Sequence, residues 1–191
     1  MNGKKKIIIA VTGASGSVYA HQLFLKLNTL KDQIEEVAVI FSETACKVWQ
    51  YELENTEYNK LEYPIYSNND FFSPTASGSS GFDCMIIIPC SMGTLGRIAN
   101  GTSNDLISRS ADVMLKEKRK LIMVLREMPF NLIHIENMKS VTLAGAIICP
   151  ASPSFYSKPD SIDKLVATVT DKVLSLAGFK FEFYKWGEKN S

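Results

Sequence analysis

Two histidines, four cysteines and no apolar run near the ~20 residues of a spanning helix remove several function classes at the outset. His21 and His134 lie far apart in sequence, which leaves no spacing suited to zinc. Cys46, Cys84, Cys90 and Cys149 form no C-x-x-C pair, and three of them lie in or beside apolar runs. Reduced, partly buried thiols that pack as small hydrophobes are expected. One-sided charge is missing too: the formal net charge is +1, with lysine and arginine scattered along the chain. Nucleic acid and anionic membranes are therefore not expected as partners. The N-terminal MNGKKK leads directly into a strand-like apolar run, and with no run of spanning length a cytoplasmic protein is expected. What is present is a 46% hydrophobic chain of 191 residues, enough for one globular domain that buries roughly two-thirds of its unfolded surface.

The stretch from Lys5 to Tyr19 organises the rest. The β-branched run Ile7-Ile8-Ile9-Ala10-Val11 stops at Thr12, passes through Gly13-Ala14-Ser15-Gly16-Ser17 and enters a segment of helical periodicity. That is strand, glycine turn, helix. Small residues let a backbone approach a ligand, and the unpaired N–H groups of a helix start attract an anion, so the turn reads as a phosphate cradle. A purely structural turn remains the alternative. The spacing G-x-x-G is not the dinucleotide G-x-G-x-x-G, and the second strand ends at Phe41-Ser42 without the acidic ribose partner, which disfavours NAD. No Gly-Lys-Ser/Thr closes the turn, which excludes a P-loop.

Further along, a helix over residues 16–30 carries Leu23, Phe24, Leu27 and Leu30 on one face. Residues 36–41 read as a second buried strand. Ser42 caps the next helix or faces a ligand at that strand end. Residues 55–82 read as a loop-rich connection with Pro64, Pro74 and the run Ala76-Ser77-Gly78-Ser79-Ser80-Gly81, a surface link or a lid. The strand at 83–88 ends in a second small polar junction, Pro89-Cys90-Ser91-Met92-Gly93-Thr94, suited to a flat heterocycle or to a simple turn. A charged helix from about Asn104 places Arg109 and Lys116 on one face, a pattern that by itself reads first as a solvated, salt-bridged surface. The strand at 121–125 ends in Arg126-Glu127, at the ligand edge of an open α/β sheet. A helix through Leu132, Ile135 and Met138 leads to a strand at 146–148 and to Pro150-Ala151-Ser152-Pro153-Ser154-Phe155-Tyr156. The last helix starts at the N-cap Ser161 and buries Ile162, Leu165, Val166, Val169, Val173 and Leu176, with Lys172 at the border. Five or six strands alternating with helices predict an α/β fold: a single-domain doubly wound parallel sheet, Rossmann-like or flavodoxin-like, in three layers. The domain spans 1–178, and an aromatic, charged tail over 179–191 docks on the body or on a neighbouring subunit.

Five motifs in this order and spacing resemble those of the UbiX-type flavin prenyltransferases: Gly13-Ala14-Ser15-Gly16; Pro89-Cys90-Ser91-Met92-x-Thr94-Leu95; Arg109-x-Ala111-Asp112-Val113-x-Leu115-Lys116-Glu117; Arg126-Glu127-x-Pro129; and Pro150-Ala151-x-Pro153-x-Phe155-Tyr156. The resemblance extends from Lys5 to about Leu176. It implies an enzyme that joins a dimethylallyl group from dimethylallyl monophosphate to reduced FMN, first at N5 and then at C6, giving prenylated FMN for a UbiD-type decarboxylase. By resemblance Gly13, Ala14, Ser15, Ser42, Ser91, Met92, Gly93, Thr94 and Arg126 hold FMN. Tyr156, Lys172 and Lys116 bind the phosphate donor, and Ser15, Glu127 and Lys116 are the catalytic candidates. The family is metal-independent and forms large homo-oligomers, typically dodecamers. It usually has arginine where this chain has Lys172, and a point charge does not grip phosphate as a guanidinium fork does.

The chemistry of that reaction asks for the same residue types. Breaking an allylic C–O bond leaves phosphate and a cation-like carbon, which calls for fixed positive charge at the one and a water-poor π surface at the other. Lys116, Arg126, Lys172 and Tyr156 supply the first need, and the electron-rich flavin with nearby aromatics supplies the second. Glu127 or the departing phosphate can accept the C6 proton. The alternatives are an FMN-dependent cysteine decarboxylase, whose Pro-x-Met-Asn motif is absent here, a decarboxylase acting in its own right, and a non-catalytic FMN carrier.

Overall fold

In the computed structural model, which describes residues 3–187, strands and helices alternate along the chain. They are β1 (Lys5–Val11), α1 (Ser17–Thr29), β2 (Ile34–Phe41), α2 (Glu43–Leu53), β3 (Ile65–Ser67), β4 (Cys84–Cys90), α3 (Met92–Ala99), α4 (Leu106–Lys116), β5 (Lys120–Leu125), α5 (Leu132–Leu143), β6 (Ile147–Ile148) and α6 (Ile162–Ala177). All neighbouring strands pair in parallel, in the order β3-β2-β1-β4-β5-β6. The chain works outward from β1 to β3 and then restarts on the other side with β4. The strand order therefore reverses between β1 and β4, where open α/β sheets form their ligand crevice.

The central strands are apolar on both faces because helices cover both. Ile7, Ile9 and Val11 pack toward α1, α2 and α6, meeting Leu23, Phe24, Trp49, Val169 and Val173. Ile8 and Ala10 face the other way, toward α3, α4 and α5, meeting Leu95, Ile107, Ala111 and Val141. Complete burial of each such aliphatic side chain contributes about 2 kcal/mol. Helix starts are fixed locally: Ser42 accepts the Ala45 N–H at 3.1 Å, and Ser161 accepts that of Lys164 at 3.2 Å. Asp105 and Ser108 form a reciprocal capping box at the start of α4.

One expectation, the burial of Ile162, needs correction, and the loop-rich segment 55–82 also holds β3, which pairs with the end of β2 as the sheet's sixth strand. Three residues are too few to show a period, and their pairing comes from β2. Ile162, in the first turn of α6, is 73% exposed, whereas Leu174 and Ala177 at its other end are buried. Helix α5 leaves Leu132 and Ile135 outside and buries only Val141. Among the described residues no helix is long and apolar enough to cross a membrane. Residues 188–191 of the tail lie outside the described residues. Within the described part, Phe179 is buried, and Gln33 on the connection into β2 holds Lys180 by two hydrogen bonds of 2.7 and 2.9 Å.

Candidate functional site

Thr12 joins the two turns at the switch point. Buried at the end of β1, its hydroxyl donates to Pro89 O at 2.8 Å and accepts the Ser91 N–H at 2.8 Å. This sets the Gly13–Ser15 turn beside the Ser91–Thr94 turn. At Gly13 a Cβ would collide with the Thr44 side chain, so α2 approaches closely only because the residue is glycine. Gly16 adopts φ 114°, and its neighbour Tyr19 leaves no room for a side chain there.

The turn is not an open phosphate cradle. Glu52, near the end of α2, places its carboxylate against the start of α1: the Gly16 N–H donates to it at 2.9 and 3.0 Å and the Ser17 N–H at 2.7 Å. The Ser15 hydroxyl bonds to the same group. Burial pushes the Glu52 carboxyl up, but these donors outweigh it and hold the group below its ordinary range. A phosphate at this helix start would meet a carboxylate that already occupies the donors. Glu52 carries no signal in the sequence, since an acid on a surface helix has no motif, and Thr12 reads there only as the end of a strand.

Ser42 spends its hydroxyl on capping α2, and its N–H donates to Val11 O at 3.0 Å, so it fixes the β1–β2 side of the crevice. Across the crevice, Ser91 accepts the Thr94 N–H at 3.3 Å, and the two hydroxyls meet at 3.1 Å. Met92 points into the core and offers the crevice its backbone only. A Cβ built on Gly93 meets nothing closer than Arg97 Nη1 at 3.8 Å, so the space over the start of α3 is open. Arg97 donates to Thr94 Oγ1 at 3.1 Å and pairs with Asp105 at 3.5 Å, adding a cation beside that helix start.

Arg126 leaves the end of β5 tied by its N–H to Cys90 O at 3.3 Å. Its side chain lies alongside Gly16 and Tyr19; burial raises the Tyr19 hydroxyl, and the Arg126 charge opposes that rise. Glu127 is exposed, with one carboxylate oxygen accepting the Met128 N–H at 3.0 Å. Beyond the end of β6, Tyr156 and Lys172 line one cavity of about 620 Å3, together with Cys149, Ser154, Tyr184 and Trp186. The Tyr156 and Trp186 rings lie 4.7 Å apart, so the tail docks on the body at this cavity. Burial raises the Cys149 thiol, against the nearby charge of Lys172.

Lys116 is not part of this assembly within one chain. It ends α4, whereas Arg126 and Glu127 follow β5, and the six residues of that strand separate the two by roughly 20 Å. Lys116 pairs with Glu117 at 2.5 Å beside the 74–80 segment, where Arg109 donates to Ala76 O at 3.2 Å and Arg119 to Gly78 O at 2.8 Å. The chain thus carries two polar constellations at opposite edges of its sheet. Among the described residues, no cluster of His, Cys, Asp and Glu suits a metal.

Comparison with known proteins adds a sequence context to this geometry. The Flavoprotein family model matches residues 1–174. A flavin prenyltransferase UbiX of Methanocaldococcus jannaschii is 48% identical over 185 residues, covering 95% of this chain and 98% of its own. A solved structure of AnUbiX (PadA1) in complex with FMN and dimethylallyl pyrophosphate superposes with a TM-score of 0.90 at 38% identity, covering 97% of this chain and 100% of that one. A dodecameric FMN-dependent UbiX-like decarboxylase from Escherichia coli O157:H7 superposes with a TM-score of 0.89 at 34% identity, over 94% and 98% of the two chains.

Proposed function

The chain belongs to the UbiX flavin prenyltransferases, enzymes of the flavoprotein family that use FMN, and from that premise we propose that it joins the dimethylallyl group of dimethylallyl monophosphate to reduced FMN. Inorganic phosphate leaves as the allylic C–O bond breaks, N5 exchanges its proton for the prenyl carbon, and the prenyl double bond then takes up a proton and closes onto C6, which gives up its own. The observation that carries this reading is the pairing of Tyr156 with Lys172 in one cavity next to the end of β5, where Ala151 N–H donates to Leu125 O at 2.8 Å and Arg126 follows. A cation and a hydroxyl suited to a phosphate thus stand beside the crevice suited to a flavin.

The crevice fits a planar ring because Gly13 permits the close approach of α2 and no side chain fills the space over Gly93. Gly13, Ala14, Ser15, Ser42, the Ser91-Met92-Gly93-Thr94 turn and Arg126 would hold FMN, with Met92 contributing main chain. When bound, FMN supplies the electron-rich carbon and nitrogen that take the prenyl group. Ser15, joined to Glu52, orients or relays a proton at this end of the site. Glu127 or the departing phosphate accepts the C6 proton. Lys172 and Tyr156 hold the leaving phosphate, with Lys172 as a point charge in place of an arginine fork.

Lys116 serves the same phosphate from a second copy of the chain, which makes the site a product of assembly. The dodecamer formed by the Escherichia coli relative supports a homo-oligomer, here a dodecamer. The product goes to a UbiD-type decarboxylase in the cytoplasm.

Anaerobic incubation of the purified protein with dithionite-reduced FMN and dimethylallyl monophosphate, followed by mass spectrometry of the released flavin, tests the activity. A flavin heavier by one prenyl unit and dependent on both substrates is expected. Unmodified flavin with both the mono- and the diphosphate donor would overturn the reading in favour of a carrier or, if carbon dioxide were released from a carboxylic acid without a partner, of a decarboxylase.

A further inference from the structure

Two helix starts flank the crevice at the switch point, and the chain itself fills only one of them. Glu52 holds the donors at the start of α1, with Arg126 alongside Gly16 and Tyr19. At the start of α3 the Thr94 N–H donates to Ser91 Oγ at 3.3 Å and the Leu95 N–H to Ser91 O at 2.9 Å, while the Met92 and Gly93 N–H groups find no acceptor among the described residues. Arg97 lies beside these two donors, because helical side chains lean toward the N-terminus and a residue one turn into α3 reaches back to its start. Its Nη2 donates to Thr94 Oγ1 at 3.1 Å and lies 3.5 Å from Asp105 Oδ2. Asp105 gives its other oxygen to the cap of α4, accepting the Ser108 N–H at 2.7 Å, so Arg97 is tethered from one side only. Its Nη1 stands 3.8 Å from where a Gly93 Cβ would be, at the open space over that residue, and makes no hydrogen bond among the described residues. Its Nε is shut off from solvent with no acceptor. A buried donor without a partner is destabilising and rare, so what this guanidinium faces explains its placement better than what it holds. The Met92 and Gly93 N–H groups and the positive end of the α3 dipole add to its charge, and the space over Gly93 therefore suits an anion. The same charge opposes the rise that burial imposes on the Cys90 thiol, which sets Arg97 at the end of β4, where the crevice opens.

We propose that Arg97 is a flavin-binding residue whose Nη1 edge holds an anionic group of FMN at the start of α3, either the ribityl phosphate or the N1–C2 edge that carries the charge of the reduced ring. The inference rests on the reading of the crevice as an FMN site and adds to it a residue that none of the five motifs contains. A guanidinium suits either group, because its planar fork meets two oxygens of a phosphate, or a ring nitrogen and its neighbouring carbonyl, with parallel N–H bonds. Held at the phosphate, Arg97 anchors the cofactor; held at the ring, it favours the reduced, anionic flavin that the reaction consumes. Gly93 is part of the same arrangement, since a side chain longer than alanine there would enter the space that Nη1 faces. Asp105 keeps the guanidinium in place without covering that edge.

Two variants separate a ligand contact from a structural tie. Arg97→Met keeps much of the side chain's length and removes its charge, whereas Asp105→Asn keeps the α4 cap, breaks the ion pair and leaves the Arg97 charge in place. Anaerobic equilibrium dialysis of the purified proteins against FMN and against riboflavin, each oxidised and dithionite-reduced, is the measurement. Arg97→Met is expected to bind FMN roughly ten-fold or more weakly than wild type, and Asp105→Asn to stay within about two-fold of it. Riboflavin binding left unchanged by Arg97→Met identifies the phosphate as the group held, and a loss for reduced riboflavin as large as that for reduced FMN identifies the ring. Arg97→Met that binds FMN and riboflavin as wild type does would overturn the inference and leave the FMN site standing. An equal loss of affinity in both variants would overturn it as well, because Arg97 would then act only by tying α3 to α4. A wild-type protein that takes up no FMN would overturn the reading of the crevice and this inference together.

Discussion

The Glu52 carboxylate accepts the backbone N–H of Gly16 through both oxygens, at 2.9 and 3.0 Å, and so fills the start of α1 with an internal anion. This ties the end of α2 to the glycine turn and gives Ser15 a charged partner. Glu52→Gln keeps the shape and removes the charge. Charge-assisted hydrogen bonds of this kind contribute roughly 1.5–3 kcal/mol, so a lower melting temperature at pH 7 is expected. Because the folded carboxyl titrates below its ordinary range, this stability is present above the unfolded value and is lost as pH falls through the folded one. Melting curves of wild type and variant should therefore converge in acid; a constant gap from pH 7 to pH 3 would contradict the assignment.

Glu127→Gln tests the proton acceptor. The side chain is exposed and holds no core contact, so folding and FMN binding should be unchanged. If Glu127 takes the C6 proton, formation of the ring-closed product falls by about 10²-fold or more, as for removal of a general base. Single-turnover assays with product identification by NMR would show this. Full ring closure at the wild-type rate would leave the departing phosphate as the base.

Lys172 offers a graded test of phosphate binding. Lys172→Ala should raise the KM for dimethylallyl monophosphate at least ten-fold with FMN affinity unaltered, and Lys172→Arg should lower it below wild type by restoring a fork of donors. Equal KM values in all three proteins would remove Lys172 from the donor site.

The cysteines should be chemically quiet. Burial pushes the Cys84 thiol up to about 12 and raises Cys90 further, while Cys46 and Cys149 are also raised. The thiolate is the reactive form. Ellman titration of the native protein at pH 7.5 should be slow, beginning at Cys46, the least buried of the four, and become fast only in denaturant. Rapid labelling of Cys90 in the folded protein would show that the β4 end opens in solution.

Much of this was legible before any coordinates. The runs 7–11, 36–41 and 121–125 are long enough to identify as buried strands, and Ser42, Ser161 and the Arg126-Glu127 strand end all stand where their local patterns put them. Other features were hidden for physical reasons. Three-residue β3 exists because β2 offers it an edge. Ile162 continues the apolar period of α6 yet stands exposed in its first turn, because period alone does not say how far along a helix its covering layer extends. The start of α1 carries the sequence of an anion site, yet its anion comes from Glu52, 36 residues from Gly16.

Hydrophobic period and capping act over a few residues, so the alternation of strands and helices, the helix caps and the order of the five motifs are written locally in the chain. Which of those motifs meet depends on the folded sheet. Parallel strands put every β-to-α turn at one edge of the sheet, so Thr12 reaches Pro89 and Ser91 across the switch point, while Lys116, at the end of a returning helix, is carried to the opposite edge from Arg126. Strand direction and helix length, summed over the whole chain, fix those distances, and no local pattern contains them.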